Sequence, residues 1–193
     1  MVTSSSSRQR AIHKAQQALA QNPVYLDTET TGLDRTDEII EISIIDDDGS
    51  TLLESLIRPS KPIPPDATRI HGITNDMVTR APFWPLLWPN IRSILSGKLV
   101  VIYNVDFDLG MMRQMASRYK IQWREDFSTV DLLKVYADYR SEWDPKRRSN
   151  RYQSLEKAGQ QCHIALPNAH RSTADTLLTR ALLHYIAENQ ENS

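Results

Sequence analysis

The chain has 193 residues, 40% of them hydrophobic and 24% charged, with a formal net charge of −1 at pH 7. That suffices for one domain with an ordinary core, but the balance excludes a molecule that grips polyanions by its overall charge; anion binding has to come from a local patch or from cations. The single cysteine, Cys162, excludes an internal disulfide and fits a reducing, intracellular compartment, and no apolar run is long enough to cross a membrane.

Residues 1–22 lack the apolar stretch of a secretory signal and are Ser/Arg-rich, with no acid before Asp27, in the manner of an organelle transit peptide. Ile12, Ala15 and Leu19 fall at helical spacing, which favours a Ser-rich tail and an amphipathic helix docked on a domain running over 23–190. Pro23 leads into a strand over 24–28. TGLD is a turn, EIIEISIID a second strand, DDDGS a hairpin turn and TLLESLIRP the returning strand. PSKPIPPDAT reads as a rigid loop, too rich in proline for a helix or a central strand. A short helical stretch around TNDMV leads to a helix in APFWPLLWPNIRSIL, with Trp84 and Trp88 as core aromatics. GKLVVIYN is a fourth strand. VDFDLGMMRQMASRYK is a helix with Met111, Met112 and Met115 as core filler, and DLLKVYADYR is another. SEWDPKRRSN is a polar, basic loop, and helices in YQSLEKAGQQCHI and STADTLLTRALLHYIAEN complete the chain. Cys162 beside His163 reads as a small core residue next to a loop histidine rather than a metal pair. Strands first and a strand among helices afterwards predict an α/β fold: a mixed sheet covered by helices.

Three clusters carry possible chemistry. In VYLDTETTGLD, Asp27 and Glu29 are two apart on a strand and project from one face. Two carboxylates about 4 Å apart repel by roughly 4 kcal/mol at an effective dielectric of 20. Protonation or a hard divalent cation removes that cost; an exposed strand end carrying two ordinary acids is the competing reading. In YNVDFD, Asn104 reads as a helix cap, with Asp106 and Asp108 favoured by the dipole in the first turn. In AHRSTADTLL, His170 and Asp175 are five apart and do not share a helix face. Ser172 as N-cap, with Asp175 three residues later, places His170 ahead of the helix.

Taken together and in this order, DTETTGL, IHGIT, YNVDFD and HRSTAD resemble the motifs of the DEDDh 3′–5′ exonucleases, the proofreading branch of the ribonuclease H-like fold. The resemblance implies a single ribonuclease H-like domain and a metal-dependent hydrolase. Its substrate would be single-stranded or frayed DNA, shortened from the 3′ end to nucleoside 5′-monophosphates in replication or repair. Asp27, Glu29, Asp108 and Asp175 would hold two Mg²⁺ or Mn²⁺ ions, Asp27 between them, and His170 would take a proton from the attacking water. Thr30, Thr31, Leu33, His71, Asn104 and Phe107 would form the nucleotide pocket, with Leu33 wedged against a terminal base. The basic run Lys146, Arg147, Arg148 and Arg151, near Trp143 and Tyr152, lies outside the shared motifs and reads first as a solvated loop. Tyr103 departs from the family, many of whose members carry a histidine before the asparagine. An exoribonuclease of the same family is one alternative. A catalytically silent nucleic-acid-binding module is another, against which the complete acid set and His170 speak. Three arrangements are open: the chain acting alone, as a homodimer, or with a polymerase or other protein partner in trans.

Overall fold

A computed structural model describes residues 4–124, 126–165 and 171–188. The apolar, β-branched runs form the sheet. β1 (Val24–Thr30), β2 (Ile39–Ile45) and β3 (Thr51–Leu56) make an antiparallel meander, and β4 (Leu99–Ile102) and β5 (Ser128–Asp131) run parallel to β1. The order across the five-stranded sheet is β3-β2-β1-β4-β5. Parallel strands need crossover connections, usually helical. β1 reaches β4 only after the meander and α2 (Pro65–His71), α3 (Asn75–Val78) and α4 (Trp84–Leu95); β4 reaches β5 through α5 (Val105–Arg118). The C-terminal ends of β1 and β4 therefore lie side by side at one end of the sheet.

Alternation along the strands divides the core into two layers. Val24, Leu26, Ile42, Ile44, Val100 and Ile102 pack on Trp84, Trp88 and Ile91 of α4 and on Leu109, Met112 and Met115 of α5. Trp84 and Trp88 stack at 5.7 Å between ring centroids, as the core aromatics anticipated from the sequence. Tyr25, Ile45, Val101 and Val130 face the other way. They are covered by α1 (Ser4–Leu19), α6 (Leu132–Arg140), α7 (Leu155–Gln161) and α8 (Ser172–Glu188). Ala11, Ile12, Ala15 and Ala18 are the buried stripe of α1, and Cys162 is buried in the same layer beside Tyr136. No described helix is long and apolar enough to cross a membrane.

The proline-rich loop is in part a helix. Pro65 opens α2, where a missing N–H costs nothing and the fixed φ is already helical, and Gly72 closes it at φ +72°. The SEWDPKRRSN loop contains a small hairpin, β6 (Trp143–Asp144) against β7 (Ser149–Asn150), with the Asp144 carboxylate accepting the amides of Lys146 and Arg147 at its turn. β5, four residues long, is not legible as a strand apart from the helix that follows it.

Candidate active site

β1 ends in alternation: Leu26, Thr28 and Thr30 are buried, while Asp27 and Glu29 are half-buried on the face that α8 covers. α8 brings Asp175 to them. Asp27, Glu29 and Asp175 each offer a carboxylate oxygen, and these atoms lie within 4.8 Å of one another. Asp108 stands beside this trio rather than in it. It is 2% exposed, and its Oδ1 accepts the backbone N–H of Thr28 at 3.1 Å and the Thr28 hydroxyl at 2.7 Å. β1 thus carries acids on one side and, through Thr28, orients a fourth acid from the other.

Burial, and then the charges of Asp108, Asp175 and Glu29, hold the Asp27 carboxyl well above the usual carboxylate range. Burial first, then Asp175 and Glu41, push Glu29 up to about 8. Asp108 is pushed up to about 7 by burial, against the opposing effect of its Thr28 hydrogen bonds. Groups arranged this way share protons or a cation. The donor set is all carboxylate oxygen, with no thiol or imidazole among the described members, which fits a hard divalent cation.

Next to the acids lies a largely apolar cavity of about 360 Å³. Glu29, Thr30, Thr31, Leu33, His71 and Phe107 line it, and α2 contributes Ala67 and Ile70. Leu33 is 84% exposed and Ile70 62% exposed at its rim. The loop that carries Leu33 is tied down. The Thr31 hydroxyl donates to Asp37 at 2.8 Å, the Asp34 amide donates to the same carboxylate at 2.7 Å, and Gln114 donates to the Asp37 carbonyl at 2.6 Å. A Cβ on Gly32 would come within 2.5 Å of the Asp37 carboxylate, which would have to shift and disturb these bonds.

Several local expectations are corrected. Asn104 does stand at the N-cap of α5, but at φ +78° and with no hydrogen bond from its side chain, and it is not among the residues lining the cavity. His71, which lines the cavity, ends α2; it is buried, and its Nδ1 accepts the Ile73 amide at 3.0 Å. Ser172 is the first residue of α8, not a cap before it, and its backbone N–H donates to Glu41 at 2.9 Å. Asp106, in the first turn of α5 as expected, is exposed and pairs with Lys134 at 3.2 Å. His170 lies outside the described residues.

Glu41 belongs to none of the sequence motifs, although it interrupts the wholly buried strand IIEISII. It faces Glu29 across the β1–β2 ladder. Burial raises its pKa, but Arg171 and Ser172 outweigh that and the net shift is downward. A glutamate in a strand buried along its whole length is the available signal. Its partner, 130 residues further on, leaves no local trace.

A family model described as RNase_T: Exonuclease matches residues 24–183. The chain belongs to the RNase_T exonuclease family. This exonuclease is 33% identical over 181 residues to an uncharacterised exonuclease, CP81, of Escherichia phage 186, covering 91% of this chain and 93% of that protein. A DNA polymerase III subunit epsilon-like protein of Rhodobacter capsulatus is 34% identical over 110 residues, which are 50% of this chain and only 16% of that protein. Among solved structures, Exonuclease X in complex with 5′-overhanging duplex DNA superposes with a TM-score of 0.60 at 27% identity, covering 84% of this chain and 89% of that one. A zinc-bound E. coli ExoI–ssDNA complex gives 0.68 at 25% identity, covering 89% of this chain and 42% of that one. The nuclease domain of 3′hExo, a DEDDh family member, shares the fold at a TM-score of 0.71 and 13% identity, covering 88% of this chain and 93% of that one. The chain is a DEDDh exonuclease with the ribonuclease H-like fold, a hydrolase acting on nucleic acid.

Proposed function

We propose that this exonuclease shortens single-stranded or frayed DNA from the 3′ end, releasing nucleoside 5′-monophosphates, with two Mg²⁺ or Mn²⁺ ions at the acidic site. The observation that carries the reading is the acid trio placed against a cavity of about 360 Å³, a volume suited to one terminal nucleotide rather than a continuous strand. When bound, divalent ions neutralise the charge that develops on the attacking and leaving oxygens of the phosphodiester. Asp27, Glu29 and Asp175 would hold them directly. Asp108, with Oδ1 fixed by Thr28, would complete the set from the far side of β1.

Phe107, Ile70 and Leu33 offer apolar surface to the terminal base and sugar, and base stacking on such surface is tolerant of sequence. The threonines of β1 and its loop bring hydroxyl and amide groups to the same wall. His170 takes the proton of the attacking water in this reading. A second, open groove of about 610 Å³ along α5, lined by Arg35, Arg113 and Arg118, supports contact with backbone phosphates. The ssDNA in the ExoI complex and the duplex in the Exonuclease X complex support DNA as the polymer. The epsilon-like relative supports a polymerase as a partner in trans.

The test is a 5′-labelled oligonucleotide ladder, DNA beside RNA, with Mg²⁺, Mn²⁺ or chelator. The expected result is metal-dependent shortening of DNA one nucleotide at a time from the 3′ end. Faster loss of RNA moves the substrate to the other polymer, and products cut internally overturn the exonucleolytic reading. His170→Ala is expected to slow hydrolysis by about 10²-fold with Mn²⁺ binding kept.

A further inference from the structure

We propose that the Glu41–Arg171 ion pair is the positioning device of the acidic site, fixing the first turn of α8, and with it Asp175, against β1. The inference rests on reading the trio as a divalent-cation site. Its geometry is independent of that reading.

Asp27 and Glu29 are held by the sheet, but Asp175 comes from a helix that has to be placed in register with them. Glu41 supplies the link. It stands opposite Glu29 in the β1–β2 ladder, and its side chain is 1% exposed. The Arg171 guanidinium grips it as a fork: Nε donates to Oε1 and Oε2 at 3.0 and 3.1 Å, and Nη2 donates to Oε1 as well. The Ser172 N–H, at the start of α8, donates to Oε2 at 2.9 Å. A strand carboxylate therefore caps the helix and satisfies an N–H that the helix itself leaves without a partner. The Asp175 amide bonds the Arg171 carbonyl at 3.0 Å, so Asp175 lies one turn beyond the clamp. Arg171 also neutralises Glu41, which would otherwise be one more anion beside Glu29 and Asp27.

Position and charge predict opposite signs for one substitution. R171Q removes a cation next to the acids and frees the Glu41 carboxylate. If Arg171 acts by charge alone, Mn²⁺ binds more tightly. If it holds Asp175 in place, Mn²⁺ binds more weakly.

The experiment measures Mn²⁺ affinity by electron paramagnetic resonance, without nucleic acid, for wild type, R171Q, R171K and E41Q, with thermal melts alongside. The clamp predicts a loss of about tenfold or more in R171Q and E41Q, the size typical when residues that orient metal ligands are removed. R171K, which keeps the charge but not the fork, should fall between these variants and wild type. Unchanged or tighter Mn²⁺ binding by folded R171Q overturns the proposal. Should R171Q or E41Q fail to fold, R171K decides, at a side chain 41% exposed: weaker binding supports the clamp, and wild-type affinity overturns it. A wild-type protein that binds Mn²⁺ but leaves nucleic acid intact defeats the proposed function and leaves the clamp standing. A wild-type protein that binds no Mn²⁺ defeats both.

Discussion

Two carboxylates set two apart on a strand have no packing role when every neighbour on the strand is buried, which is why Asp27 and Glu29 are legible as a pair in the sequence. Their partners are less legible, because Asp175 and Asp108 each have an ordinary helix-start explanation. Only folding shows that one joins the trio and the other is held by Thr28. Asp27→Asn and Asp175→Asn should each lower hydrolysis by about 10²-fold or more while raising the melting temperature of the chelator-treated protein at alkaline pH, since each removes an acid whose ionised form the others repel. A variant that keeps wild-type turnover would remove the acids from the mechanism. The pH dependence follows from the same crowding. Glu29 is pushed from 4.5 to about 8 and Asp108 from 3.8 to about 7, chiefly by burial. Between the unfolded and folded values, the folded, cation-free protein holds more protons than the unfolded chain, so its stability falls as pH rises through that window. Chelated protein should melt lower at about pH 8.5 than at about pH 5.5, and added Mn²⁺ should recover more at the higher pH. A melting temperature that climbs with pH in chelator contradicts this.

Among the elements, the central strands and long helices are legible from periodicity. The short pieces are not. α2 is hidden by its prolines, although Pro at a first helical position is favourable, and with α2 go Ala67 and Ile70 of the cavity wall. The β6–β7 hairpin reads as loop because two-residue strands carry no alternation. The segment that follows that hairpin is joined to the end of β4: the Tyr103 hydroxyl donates to the Gln153 carbonyl at 2.8 Å, which gives a structural use to the residue that departs from the family. Trp143 on the hairpin itself is 60% exposed beside Lys146, Arg147, Arg148 and Arg151. If the hairpin touches the strand backbone, neutralising Arg147 and Arg148 should reduce the slope of log affinity against log salt for single-stranded DNA by about 1.4; an unchanged slope shows that it does not. At the other rim, Leu33→Ala should change stability by less than about 0.5 kcal/mol, yet slow attack on a paired 3′ end several-fold relative to a single strand. Equal slowing on both substrates would rule out a wedge.

For the molecule as a whole, the two-layer core explains how one sheet both supports a site and carries an appended helix. α1 contributes Ala11, Ile12, Ala15 and Ala18 to the core layer on the α8 side of the sheet and lines neither cavity. Arg8 holds it to α6, donating to the Tyr139 hydroxyl at 2.8 Å with its guanidinium 3.9 Å above that ring, and Gln16 donates to the Ala187 carbonyl at 3.0 Å. Deleting residues 1–22 should cost about 4 kcal/mol of stability, from the buried methyl and isoleucine surface, read as a lower urea midpoint. Activity below the new transition should survive. A truncated protein that melts like the full chain would show the helix to be dispensable packing.

The trio is drawn from β1 and from α8, at opposite ends of the exonuclease domain. During synthesis the ribosome releases the first two carboxylates long before the third exists. A growing polypeptide therefore lacks the third carboxylate of the proposed metal site until α8 has been made, and a premature stop ahead of α8 is expected to yield an inert product.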